Sequence, residues 1–201
     1  METPAQRIGA HYQKHAHAWD RDRQRTVWND KVWHDRFIAL LAKGSTVLDL
    51  GCGSGWPVAR HLVQNGMRVT GVDSSPQMIE LCQERLPDQE WMLADMREVA
   101  LGRRFHGILA WDSFFHLDFD SQRKMFLVFA GHAEVGAHLM FNAGPKHGVA
   151  MGEYRGDPLY HASLDLTEYE GLLKQHGFDV VQQVTEDPEA GGRTVWLAKR
   201  G

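Results

Sequence analysis

Three short segments of this chain place glycines and carboxylates at spacings that suit a nucleoside ligand. The first, Val47-Leu-Asp-Leu-Gly-Cys-Gly-Ser-Gly-Trp56, passes through Asp49 into glycines at 51, 53 and 55. Glycines let a backbone turn sharply and approach a ligand closely. Free N–H groups at the start of a following helix then face that ligand. The spacing is GxGxG, whereas a dinucleotide-binding turn has GxGxxG. Asp49 beside the turn suits a cation and repels a pyrophosphate. The second segment, Val69-Thr-Gly-Val-Asp73, ends on an acid that can accept both hydroxyls of a ribose. The competing role for Asp73 is a helix N-cap, which Ser74 already supplies. The third, Met92-Leu-Ala-Asp-Met96, offers Asp95 to an exocyclic adenine amine and Met96 to the ring.

Other residues suit an acceptor for group transfer. His116, in Ala110-Trp-Asp-Ser-Phe-Phe-His-Leu117, titrates near neutrality and can take a proton from a hydroxyl or amine. Its competing role is a core histidine bonded to a backbone carbonyl. Gly144 to His161 is rich in glycine and has no clear period, the pattern of a lid or binding loop. Tyr154, Arg155, Tyr160 and His161 are its candidates to touch an acceptor, and Arg155 can hold a carboxylate or phosphate. Tyr12 and Trp19 reach the same pocket from the N-terminal segment. His11 and His15 share a helix face, a spacing that can bind zinc. They lack an HExxH glutamate and any evident third ligand nearby, so a solvated helix face is the reading and no metal is expected.

These residues need elements to carry them. Residues 1–43 read as two or three helices ending near Gly44, a C-cap. Short strands follow at 46–50, 68–73, 91–94, 105–111 and 137–142. Helices fall between them: 57–65, one starting at Ser74-Ser-Pro76, and 120–133. Such alternation implies βαβ units and a parallel sheet covered on both faces. A helix over 167–177 precedes strands at 178–184 and 194–199. Their connection is too short for a crossover helix, so this end is an antiparallel hairpin.

The glycine loop, ribose acid and adenine acid, each after one of three successive strands, resemble the class I S-adenosylmethionine-dependent methyltransferases over residues 45 to about 143. Asp49, Gly51, Gly53 and Gly55 match that family's first motif, while Trp56 and Pro57 replace more usual residues. The resemblance implies an α/β fold: a doubly wound, mostly parallel seven-stranded sheet with an antiparallel last strand, ordered 3-2-1-4-5-7-6. Helices cover both faces and an N-terminal helical cap adds to them. It implies a single domain over 1–201, divided into the cap (1–43), a cofactor-binding core (44–143) and an acceptor loop, helix and hairpin (144–201). S-Adenosylmethionine is the implied cofactor and S-adenosylhomocysteine its product. Cys52, Trp56, Ser74, Met78, Trp111 and Asp112 complete the expected cofactor set, and Phe115 shapes the acceptor pocket.

Composition narrows the partners. The 201 residues carry a formal charge of −4, and no basic stripe recommends a nucleic acid. No apolar run reaches the ~20 residues of a membrane span. No secretory signal is visible and the cysteines number two, so a cytoplasmic protein is expected, monomeric or homodimeric. A small-molecule acceptor for O- or N-methylation is the leading expectation. The rivals are a nicotinamide-dependent oxidoreductase, a module that binds a cofactor or nucleoside without catalysis, and, less favoured, aminopropyl transfer.

Overall fold

The computed structural model describes residues 3–201, so the first two residues of the expected cap lie outside the described residues. Buried apolar runs without polar alternation form the centre of a sheet, because parallel strands are covered on both faces. Val47, Leu48 and Leu50 of β1 (Thr46–Leu50) are fully buried. With β2 (Arg68–Asp73), β3 (Glu90–Leu93), β4 (Phe105–Ala110) and β5 (Ala133–Ala143), β1 makes five parallel strands. The chain returns through β8 (Phe178–Asp187) and β9 (Arg193–Arg200), and β9 runs antiparallel between β5 and β8. The order β3-β2-β1-β4-β5-β9-β8 reproduces the expected topology. It reverses direction beside β1, where open sheets form a crevice at the strands' carboxyl ends.

Alternate residues of each strand feed two cores. Leu48, Leu50, Ile108, Ala110, Leu139 and Phe141 face Phe126, Phe129 and Tyr169 on α5 (Phe119–His132) and α6 (Leu166–Gln175). Val47, Val69, Leu109 and Met140 face Trp33, Phe37 and Leu62 on α2 (Lys31–Ala39) and α3 (Val58–Gln64). The remaining helices are α1 (Ile8–Arg25) and α4 (Pro76–Arg85). Among the described residues no helix is long and apolar enough to cross a membrane.

Two local expectations need correction. Residues 144–161 are not an irregular loop: β6 (Gly148–Tyr154) and β7 (Asp157–Ser163) pair antiparallel as a separate two-stranded sheet. Arg155 and Gly156 form its turn with φ of 54° and 83°, the left-handed backbone that tight hairpins require. Pro158 and two glycines hide the strand pattern, and Val149 and Met151 stand exposed on β6. The cap of α4 is Ser75 rather than Ser74: the Met78 N–H donates to Ser75 Oγ at 3.3 Å.

His34 on α2 is buried between Trp28 and Trp111, and among the described residues neither ring nitrogen has a partner. Burial pushes its pKa down to about 3. The unfolded chain therefore binds a proton below the ordinary value of 6.5 that the folded chain refuses, so stability falls with pH in that window. His116, lowered to about 4 by burial, adds to the effect. The urea midpoint is expected to drop between about pH 7 and about pH 4.5, each histidine removing on the order of 2–3 kcal/mol. In the double variant His34→Leu, His116→Gln this part of the pH dependence should vanish.

Candidate active site

The strand β1 ends in a loop with glycines in left-handed backbone, and at Gly51 only glycine fits. Gly51 has φ of 79°, and a Cβ there would stand 2.3 Å from Ser113 Cβ. Gly53 has φ of 54° and faces open space. The loop is held to β2, because the N–H groups of Gly51 and Cys52 both donate to the Val72 carbonyl, at 2.7 and 3.0 Å.

Asp73, at the end of β2, accepts from Gly53 N–H at 3.0 Å through one oxygen and from Ser75 N–H at 2.9 Å through the other. A carboxylate offers about four acceptor positions, so each oxygen keeps capacity for a further donor. Burial raises its pKa against the pull of those N–H groups. Asp49 is buried at 3% exposure, and among the described residues no group donates to its carboxylate. Burial, with Asp73 nearby, lifts its pKa to about 7.

Both acids line a cavity of about 320 Å³ with Gly51, Cys52, Gly53, Trp56, Ser74, Met78, Asp95, Met96, Trp111 and Asp112. Gly55 stands behind the loop, where a Cβ would meet Cys82 Sγ at 3.3 Å. Asp95 is less free than expected. It caps the turn at Met96–Glu98, and the Arg97 guanidinium donates to both its oxygens, which holds its pKa low against partial burial.

After β4 the chain turns at Asp112, with φ of 49°. The Arg193 guanidinium grips that carboxylate at 2.7 and 2.8 Å, and Asn142 exchanges two further hydrogen bonds of 2.8 Å with Asp112. Asp112 thus faces the cavity as half of an ion pair. Trp111 lines the cavity with its indole N–H donated to Asp30 at 2.7 Å.

His116 is buried, with Nδ1 2.7 Å from the Tyr160 carbonyl and Nε2 2.8 Å from the Tyr12 hydroxyl. A carbonyl only accepts, so Nδ1 carries the proton and Nε2 offers a lone pair to the Tyr12 hydroxyl. A second cavity of about 510 Å³ lies beyond this pair, lined by Phe115, His147, His161 and Arg193. Tyr12, Trp19, Arg23, Asp112 and His116 line both cavities.

The helix α1 roofs the junction. Asp20 accepts from Ser54 Oγ at 2.5 Å and from Arg85 at 3.0 Å, and Gln13 accepts from Ser75 Oγ at 2.7 Å. Of the expected acceptor residues, Tyr12, Trp19, Phe115 and His161 meet at the second cavity. Tyr154, Arg155 and Tyr160 line neither cavity. Tyr154 and Arg155 are tied to Asp22, at 2.7 and 3.0 Å, and Tyr160 supplies only its carbonyl. Arg23 and Arg193 escaped the sequence reading. Arg23 was legible, because residues 12, 19 and 23 share one helix face, whereas Arg193 comes from the distant edge of the sheet.

Residues 47–133 match the family model described as a methyltransferase domain. A 66-residue stretch is 42% identical to trans-aconitate 2-methyltransferase of Azoarcus sp., covering 28% of this chain and 23% of that protein. Over 75 residues it is 37% identical to magnesium-protoporphyrin O-methyltransferase of Rhodobacter capsulatus, covering 35% and 33%. The match thus spans about a quarter to a third of these relatives. The fold is similar over the whole chain to that of 1,6-didemethyltoxoflavin-N1-methyltransferase of Burkholderia thailandensis, solved with 1,6-didemethyltoxoflavin and S-adenosylhomocysteine. The TM-score is 0.77 and identity 19%, covering 100% of this chain and 91% of that one. It is also similar to magnesium protoporphyrin IX methyltransferase of Synechocystis PCC 6803 with bound S-adenosylmethionine, with TM-score 0.72, identity 17%, and 96% and 97% covered. Residues 47–133 thus match a methyltransferase domain, and the whole chain has the fold of these S-adenosylmethionine-dependent methyltransferases.

Proposed function

We propose that this chain is a single-domain enzyme that transfers the methyl group of S-adenosylmethionine to an oxygen or nitrogen of a small molecule. The observation that carries the reading is the unpartnered, buried Asp49 carboxylate in a cavity that also presents Asp73 and the glycine loop. A buried carboxylate with no donor asks for a cation, and the cofactor is a sulfonium whose methyl carbon accepts an incoming nucleophile. Asp73 suits the ribose diol. Asp95 remains at the adenine end, with its carboxylate shared with Arg97.

The second cavity suits the acceptor, and its volume is in the range of small-molecule pockets. Tyr12 and His116 stand at the junction, where donor and acceptor would meet in line. Neutral His116 can accept a hydrogen bond from the acceptor in place of Tyr12 and draw off its proton as the bond forms. Its low pKa makes it a weak base, active late in the step. His116→Ala is expected to lower kcat by about 10²-fold with cofactor affinity unchanged; unaltered turnover would remove His116 from the chemistry. The charge of −4 favours a small molecule over a nucleic acid, and the two free cysteines suit the reducing cytoplasm.

Calorimetric titration across pH tests the assignment. Ionised Asp49 favours the cation, so affinity for S-adenosylmethionine should rise about tenfold from pH ~6 to pH ~8. S-Adenosylhomocysteine lacks the sulfonium charge and should show a flat profile. No heat with either ligand, or binding of NADH instead, overturns the reading. Transfer of labelled methyl from the cofactor into a metabolite extract then identifies the acceptor.

A further inference from the structure

The helix face that the sequence presents as solvated is not solvated. His11 on α1 is 8% exposed, and among the described residues its buried Nε2 has no hydrogen-bond partner. One turn later His15 stands with its ring 4.9 Å from the ring of His11. The hairpin brings the missing third group: Asp157, at the start of β7, has a carboxylate oxygen 2.6 Å from His15 Nε2. One donor atom from each of His11, His15 and Asp157 lies within 4.8 Å of the others.

We propose that His11, His15 and Asp157 form a binding site for a divalent transition metal of the zinc class, tying α1 to the β6–β7 hairpin. Two imidazoles and a carboxylate are ligands that Zn²⁺ favours, whereas Mg²⁺ and Ca²⁺ prefer oxygen alone. Three protein ligands leave one position for water. Ligand atoms on a tetrahedral zinc lie about 3.4 Å apart, so small side-chain rotations that open the 2.6 Å His15–Asp157 contact and draw in His11 from within 4.8 Å would form the set. A cation already sits at this carboxylate, since Lys14 Nζ lies 2.6 Å from the same Asp157 oxygen. The lysine side chain is 63% exposed and free to swing into solvent when a metal takes its place.

The position gives the site a purpose. Residue 12, between the two histidines, is the tyrosine that meets His116, and β7 carries His161 into the second cavity. A metal at His11, His15 and Asp157 would fix the two walls of that cavity to each other. The site is separate from the cofactor cavity and can be tested without cofactor or acceptor.

The protein is stripped with chelator and titrated with ZnCl₂, and in parallel with CoCl₂ followed by visible absorption. The proposal expects one tight equivalent per chain, a raised thermal midpoint, and the absorption bands of four-coordinate cobalt. His15→Gln and Asp157→Asn should each weaken binding by at least ~10–100-fold and remove the thermal shift. Metal-free circular dichroism of each variant verifies that it is folded. Lys14→Met keeps all three ligands and removes the competing ammonium, so it should bind Zn²⁺ more tightly than the wild type. The absence of a stoichiometric equivalent at micromolar Zn²⁺ overturns the proposal. So does binding that persists undiminished in both ligand variants, or that weakens in Lys14→Met.

Discussion

Asp73→Ala is expected to lower affinity for S-adenosylhomocysteine by at least ~100-fold while the chain remains folded. The carboxylate does two things at once. It accepts the N–H groups of Gly53 and Ser75, which sets the glycine loop against the start of α4. Its remaining lone pairs face the cavity. Hydrogen bonds to a charged group contribute about 1.5–3 kcal/mol each, and losing two corresponds to a factor of ~100 or more. Asparagine does not rescue, because its amide presents N–H donors towards one of those two N–H groups. Calorimetry on Asp73→Ala and Asp73→Asn decides the matter. Affinity within threefold of the wild type in a folded variant would mean that the acid serves only the loop.

The second large effect is at Gly51. Alanine there must adopt φ near 79°, which costs a residue with a Cβ about 1–2 kcal/mol. The added carbon would also stand 2.3 Å from Ser113 Cβ. That neighbour cannot rotate aside, because Cβ is fixed to its backbone and the Ser113 hydroxyl donates to the Leu50 carbonyl at 2.7 Å. Overpacking adds about 1–3 kcal/mol, so Gly51→Ala should remove a large share of a stability that is typically ~5–15 kcal/mol. Gly53→Ala is the control. Its Cβ would meet nothing within 4 Å, so it should cost only the backbone term yet weaken cofactor binding, since the methyl intrudes on the cavity. Urea midpoints and cofactor affinity measured on both variants separate the two glycines. Equal loss of stability in both would contradict the geometry.

Much of the core was legible in the sequence because it rests on local periodicity. Short buried runs at 46–50, 68–73 and 105–111 read as parallel strands since both their faces are apolar, and the structure ends the last at Ala110. The connection after residue 187 was too short for a helix, and the antiparallel β8–β9 pair followed. Periodicity failed at 144–161, where Gly148, Gly152 and Pro158 obscure a real hairpin held by pairing and its Arg155-Gly156 turn. It is also silent on Asp30, which comes from a distant segment to take the Trp111 indole N–H.

The sequence by itself determined the chain order of the strands of the seven-stranded sheet and the arrival of Asp49, the glycine loop and Asp73 at strand ends, because each follows from spacing along a few consecutive residues. Only the tertiary structure decided which charges are free. It left Asp49 without a donor, gave Asp112 to Arg193, and carried Asp157 across from the hairpin to the histidines of α1. Ion pairs and burial depend on residues 80 to 140 positions apart, and no local pattern encodes their meeting.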